Sequence, residues 1–260
     1  MPYVREKAKK RWTVEMMKVY RRFCGWNTLL RLVEAVDFDL RGPSGERLIH
    51  NEEERDMGRA LIATVFLCGA RIGEGLGLRA GDVNVLGDRV QVVFNVEKRY
   101  RKKMKVVKFK AVDGTKLRWD SEEEARQSGH PYEPYQGYLT ERVIEIRNIV
   151  FPRREPLAPF MLSWVERVRA EKGADAKLFS FSYNRAYRII RKAGEKIGED
   201  FPPHRLRAER ATQLVLEYGF NDFELTEWFN WKSPVVAQNY TTLAPRIIEK
   251  MFLVVKSLKV

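Results

Sequence analysis

Four short stretches carry side chains suited to chemistry on an anion: "CGARIGEGLGLRAGDV" at 68–83, a basic run around Lys98, "PPHRLR" at 202–207 and "WKSPVVAQNY" at 231–240. A guanidinium is planar and always charged, so Arg71 and Arg207 are suited to two-pronged contacts with a phosphate. A tyrosine hydroxyl ordinarily ionises near about 10, so Tyr240 could act as a nucleophile only with cations and a proton acceptor beside it. His204 is of the type that accepts such a proton. Each stretch alone also has an ordinary reading. Arg71 could cap a helix, His204 could simply start one after Pro202 and Pro203, and Trp231 and Tyr240 could be core aromatics. The glycines at 73, 75 and 77 follow a helix at the wrong spacing, so they are not a dinucleotide fingerprint.

The elements that must position these groups are readable from periodicity. Residues 13 to 36 predict two short amphipathic helices broken at Cys24-Gly25, the second with Leu29, Leu30 and Val33 inward. Asn51 with Glu54 predicts an N-terminal capping box, and the helix it opens, through Met57, Leu61, Val65 and Cys68, stops at Gly69. Two strands are expected at 89–96 and 104–112, joined by the basic turn "EKRYRKK", and a third at 148–152. Between them, 113–148 reads as an insertion. Helices follow through Phe160, Trp164 and Val168, over about 183–197, and from Pro203 with Leu206, Ala211, Leu214, Val215 and Tyr218 inward to a stop at Gly219. Asn221 with Glu224 caps the next, and Ser233-Pro234 opens a helix carrying Tyr240 in its last turn with Val236 on the same side. The segment after Pro245 predicts a strongly apolar helix over 246–258.

Composition narrows the partner. With 44% hydrophobic residues in 260, the chain can bury a sizeable core, and its two cysteines, Cys24 and Cys68, form neither a zinc motif nor a disulfide framework. The net charge of +13 points to a polyanion, nucleic acid first. Eight of those basic residues fall in 97–110 behind a single acid. No apolar run is long enough to span a membrane and "MPYVREKAKKRW" lacks a signal peptide's apolar stretch, so a cytoplasmic protein is expected.

In this order and spacing the four stretches resemble the catalytic domain of the tyrosine recombinases, the phage and archaeal integrase family. Arg71-x-x-Glu74 after a helix, leading to Asp82, is similar to the family's first-arginine box. His204-x-x-Arg207 matches its His-x-x-Arg, and Trp231 stands nine residues before Tyr240, where many members have histidine before the nucleophile. The resemblance spans about 51–245 less the insertion. It implies a mixed α+β, mainly helical fold with a small antiparallel sheet: a short helical segment at 1–45 and a catalytic domain at 46–260.

The resemblance further implies a site-specific recombinase or integrase. Arg71 and Arg207 would clamp the scissile phosphate while Tyr240 attacks it, leaving a 3′-phosphotyrosine and a 5′-hydroxyl. His204 would serve as general acid/base, Trp231 would orient the nucleophile and Glu74 would buttress Arg71 or His204. The family's leaving-group lysine sits in a hairpin, where Lys98 is chosen and Lys102 and Lys103 remain alternatives. Arg99, Arg101, Lys102, Lys103 and Lys105 would follow the DNA backbone. No metal, cofactor or ATP is expected, since arginines neutralise the charge and the phosphotyrosine conserves the bond energy. The expected partners are double-stranded DNA and further copies of the chain, a tetramer on DNA and a monomer when free, with 246–258 docking on a neighbour or on its own domain. Relaxation of supercoils, as by type IB topoisomerases, and DNA binding without catalysis are the rival readings.

Overall fold

The computed structural model describes the backbone of residues 23–241, and their side chains except those of 97–103, 139–142 and 239. The first of the two N-terminal helices and the segment 246–258 lie outside these residues. The described chain is mixed α+β and mainly helical, and it divides into two compact units, one ending at Phe94 and resuming at Arg147, the other Asn95–Ile146.

The larger unit is built around one buried helix. Helix α1 (Trp26–Glu34) buries Leu29, Leu32 and Val33, so the inward stripe takes Leu32 in place of the expected Leu30. Helix α2 (Glu52–Leu67) is capped by Asn51, whose side chain accepts the Glu54 N–H at 2.8 Å. The expected box does not close on Asn51: the Glu54 carboxylate accepts the His50 N–H at 2.8 Å. From Ala60 to Leu67 every residue of α2 is buried, which is the pattern of a helix packed on all sides. Its neighbours include α5 (Ala158–Lys172) and α7 (Pro203–Tyr218). Between α2 and the sheet lie the short helix α3 (Ile72–Leu76) and a 3-10 turn at Ala80–Asp82. Helices α6 (Tyr183–Lys196), α8 (Asp222–Phe229) and α9 (Val235–Thr241) complete the unit.

The sheet differs from the expected hairpin. Strand β1 (Val83–Leu86) pairs antiparallel with β2, Val83 opposite Val92. Strand β2 runs unbroken over Arg89–Ala111, through the run read as a turn. Charge alone does not end a strand, and 97–103 contains no glycine or asparagine to supply the positive φ of a tight turn. In the smaller unit β3 (Arg118–Trp119) pairs with β2 at Lys110 and Phe109, and α4 (Glu122–Gln127) follows with Ser121 as its cap. Strand β4 (Tyr132–Pro152) also pairs with β2; it starts sixteen residues before the expected strand because Pro134 and Gly137 read as breakers. Here Lys108 reaches Asp120 at 2.7 Å, Lys110 reaches Glu133 at 2.7 Å, and the Phe109 and Tyr132 rings meet edge to face at 5.7 Å. Among the described residues no helix is long and apolar enough to cross a membrane.

Helix α7 buries polar groups that amphipathic reading assigns to solvent. Arg210 is fully buried, and its Nη1 donates to Glu155 Oε2 at 2.7 Å and to Gln213 Oε1 at 2.6 Å. Tyr218, expected inward, is 42% exposed; its hydroxyl donates to Glu155 Oε1 at 2.8 Å. Because removing one member strands a buried charge, Glu155→Ala is expected to cost about 3–5 kcal/mol. Chemical denaturation measures this, and a loss below about 1 kcal/mol would mean that the network contributes no more than an exposed pair.

Candidate active site

The site starts where α2 ends. Gly69 has φ +54, a conformation glycine adopts without strain, and a Cβ there would lie 2.3 Å from the Phe229 ring. Two residues on, Arg71 caps α3 with an extended backbone, and Glu74 reaches back to accept the Arg71 N–H at 2.9 Å. The other oxygen of the same carboxylate accepts from Arg71 Nη1 at 2.7 Å. Glu74 is thus at once a carboxylate in the first turn of α3 and the ion-pair partner of Arg71. The Arg71 side chain is 55% exposed, so its guanidinium remains open to a ligand.

Arg207 comes from the first turns of α7 and is buried, 5% exposed. Its Nη1 donates to the Gly69 carbonyl and its Nη2 to the Phe229 carbonyl at 2.9 Å, tying the ends of α2 and α8 together. Glu74 Oε2 lies 3.9 Å from Arg207 Nη1 and 3.4 Å from Nη2 of a third arginine, Arg147. Burial first, then the charges of Arg147 and Arg71, push the Arg207 pKa down to about 9, while Glu74 and Tyr240 act the other way. It stays cationic at neutral pH. Glu74, with three guanidiniums around it, is held below the usual carboxylate range despite its burial.

His204 stands three residues before Arg207, on the same side of α7. It is exposed, yet the covering of its ring and the charges of Arg207 and Arg71 lower its pKa, so the imidazole is neutral at pH 7 and able to accept a proton.

Asn230, at φ 49, turns the chain out of α8, and the Trp231 N–H bonds back to the Thr226 carbonyl at 3.0 Å. Phe229, Trp231 and Tyr240 then stack: 4.6 Å and 14° between the first pair, 5.6 Å and 10° between the second. The Arg207 guanidinium lies 4.7 Å from the Phe229 ring centre and 5.9 Å from that of Trp231. Tyr240 is in the last turn of α9, and Thr241 donates to Asp222 behind it. The inward partner of Tyr240 on this helix is Ala237, fully buried, whereas Val236 is 41% exposed. Trp231 and Tyr240 do pack on an apolar cluster of Ala211, Leu214, Leu225 and Phe229. They are core aromatics on one side and neighbours of Arg207 on the other.

Arg71, Glu74, His204, Arg207, Trp231 and Tyr240 thus come together from three separate stretches of the larger unit. Lys98, Arg99, Arg101, Lys102 and Lys103 belong to β2, but their side chains lie outside the described residues. Lys105, also on β2, is exposed in the smaller unit. Among the described residues no three His, Cys, Asp or Glu side chains gather as a metal site would require. Sequence reasoning missed Arg147, whose only signal was an arginine separated by Asn148 from the apolar run at 149–151.

The sequence model of the phage integrase family matches residues 40–246, from before α2 to beyond the last described helix. The chain belongs to the phage integrase family. Within it, tyrosine recombinase XerA of Saccharolobus solfataricus is 39% identical over 72 residues, which are 28% of this chain and 24% of that protein. The structure of the XerH site-specific recombinase, bound to its difH substrate in a pre-cleavage complex, superposes with a TM-score of 0.50 and 14% identity. That match covers 84% of this chain and 49% of XerH, and it carries the phage integrase fold. A crystal structure of XerA recombinase has a TM-score of 0.48 and 18% identity over 89% of this chain and 62% of that one. The chain covers less than two thirds of each of these proteins.

Proposed function

We propose that this chain is a site-specific DNA recombinase that cuts and rejoins one strand at a time through Tyr240. The observation that carries the reading is the stacking of Tyr240 on Trp231, whose ring in turn faces Arg207, with Arg207 linked through Glu74 to the exposed guanidinium of Arg71. Family membership supports it. In the reaction, Tyr240 Oη attacks the phosphorus, the P–O5′ bond breaks, and Arg71 and Arg207 take up the charge that grows on the non-bridging oxygens. The phenol proton passes to His204, and the leaving O5′ takes a proton from the lysine-rich part of β2, Lys98 first and Lys102 or Lys103 otherwise. Nothing is oxidised, and the phosphodiester's energy is kept for rejoining. Residues 46–260 form the catalytic domain behind a short helical segment at 1–45, and the protein works on double-stranded DNA in the cytoplasm as a tetramer, without metal or ATP.

The test is a duplex carrying a target site nicked so that the freed strand diffuses away. The protein is expected to form a denaturant-resistant adduct and, on intact sites, recombined products. Adduct without recombinants, together with relaxation of supercoils, would turn the reading to a topoisomerase. Absence of any adduct would leave only DNA binding.

The lowered pKa of His204 has a signed consequence. The neutral form accepts the proton, so the single-turnover cleavage rate is expected to stay level through neutrality and to fall only below the ordinary histidine range of about 6.5. His204→Asn should lower the rate at all pH values and remove that limb. A rate that climbs on acidification would contradict His204 as base.

A further inference from the structure

We infer that Arg147 is a positioning residue of the cleavage site, acting through Glu74 to hold Arg71 and Arg207 at the spacing a phosphate requires. The inference rests on the recombinase reading above. Arg147 is the residue at which the chain re-enters the larger unit, and its guanidinium lies 4.6 Å from the ring centre of Phe94, the residue at which the chain leaves it. The side chain is 3% exposed. Its Nη2 sits 3.4 Å from Glu74 Oε2 and donates to the Cys68 carbonyl at 3.4 Å, while Nε and Nη1 are buried without a hydrogen-bond partner.

A buried arginine with two unmatched nitrogens is costly. A structural clasp between β2 and β4 would not need one, because an aliphatic side chain would cover Phe94 as well. What an aliphatic side chain could not do is oppose Glu74. That carboxylate is the only acid within ion-pairing reach of Arg71, Arg147 and Arg207 among the described residues. Without Arg147, Oε2 keeps the Arg71 N–H at 2.9 Å and the more distant Arg207 at 3.9 Å. Glu74 would then be free to swing toward Arg207 and draw it from the Gly69 and Phe229 carbonyls. Arg147 also leaves the cluster with three cations to one acid, a surplus of two that the phosphodiester's single charge and the further charge developed during attack together offset.

The experiment measures single-turnover adduct formation on the nicked duplex, and the dissociation constant for the same duplex, for Arg147→Met, Arg147→Lys, Glu74→Gln and the Arg147→Met/Glu74→Gln double variant. Arg147→Met is expected to cleave about 10- to 100-fold more slowly, the scale of a small misplacement at a reacting centre, with affinity within about threefold. Arg147→Lys should recover most of that rate because it still opposes Glu74. The double variant should react as Glu74→Gln does, since Arg147 has then lost the group it acts through. The double variant also removes both charges of the pair, so it folds even where Arg147→Met alone does not. An unchanged rate for Arg147→Met, equal losses for Met and Lys, or additive losses in the double variant would each overturn the inference. If the unaltered protein forms no adduct, the recombinase reading itself fails, which is a different result.

Discussion

Tyr240→Phe is expected to bind target DNA like the unaltered chain and to form no covalent adduct, a loss of at least about a thousandfold in cleavage. Phenylalanine keeps the ring, so the parallel contact with Trp231 at 5.6 Å and the packing on Leu225 and Phe229 survive. What disappears is the hydroxyl that the proposed reaction assigns to the attack on phosphorus. The change should lower stability by no more than about 1 kcal/mol, the value of one hydrogen bond, and so move the melting temperature by about 2–4 °C at most. Gel analysis under denaturing conditions reads the adduct, and calorimetry reads the fold.

The control that gives this result meaning is a second tyrosine. Tyr218 sits near the end of α7 and donates its hydroxyl to Glu155 at 2.8 Å. Burial and the charge of Glu155 raise its pKa, so it is held neutral, with its proton committed to an acid. Tyr218→Phe should therefore leave cleavage intact while loosening the Glu155–Arg210 pair. Adduct formed by Tyr240→Phe but lost in Tyr218→Phe would reverse the assignment.

The contrast between these tyrosines also marks what can be read from a chain. Ser233-Pro234 signals a helix start, and seven residues later Tyr240 falls in its last turn because a helix of that kind is short and local. Arg71-x-x-Glu74 and His204-x-x-Arg207 are equally local: residues three apart share a helix face whatever surrounds them. The burial of Arg207 is foreshadowed only by its neighbours Leu206 and Ala208. Arg147 and Arg210 are another matter. Each meets its acid across more than fifty residues of sequence, and which acid it meets depends on how β2 and β4 pair or how α7 is rotated. Neither quantity has a local signature. The basic run at 97–103 fails for the opposite reason, since charge is a strong local signal that specifies partners and not backbone shape.

Arg71 and Arg207 should be kinetically alike and thermodynamically different. Alanine at either position removes a guanidinium from the developing charge, and each is expected to slow cleavage by about 10²–10³-fold. The Arg71 side chain is 55% exposed and its ion pair with Glu74 is solvent-screened, so Arg71→Ala should cost less than about 1 kcal/mol of stability. Arg207→Ala instead leaves the Gly69 and Phe229 carbonyls buried without their donor, and each such orphan costs about 1–3 kcal/mol. Relief of repulsion between Arg207 and its cationic neighbours Arg147 and Arg71 offsets part of that loss. A net destabilisation of about 2–4 kcal/mol remains, or roughly 5–15 °C in melting temperature. Arg207→Lys separates the two roles: it retains the charge but cannot span both carbonyls and a phosphate, so cleavage should fall further than stability. Equal melting temperatures for Arg71→Ala and Arg207→Ala would show that Arg207 does not fasten α2 to α8. An Arg207→Lys enzyme cleaving at the full rate would show that charge alone, without the planar fork, is what the phosphate needs.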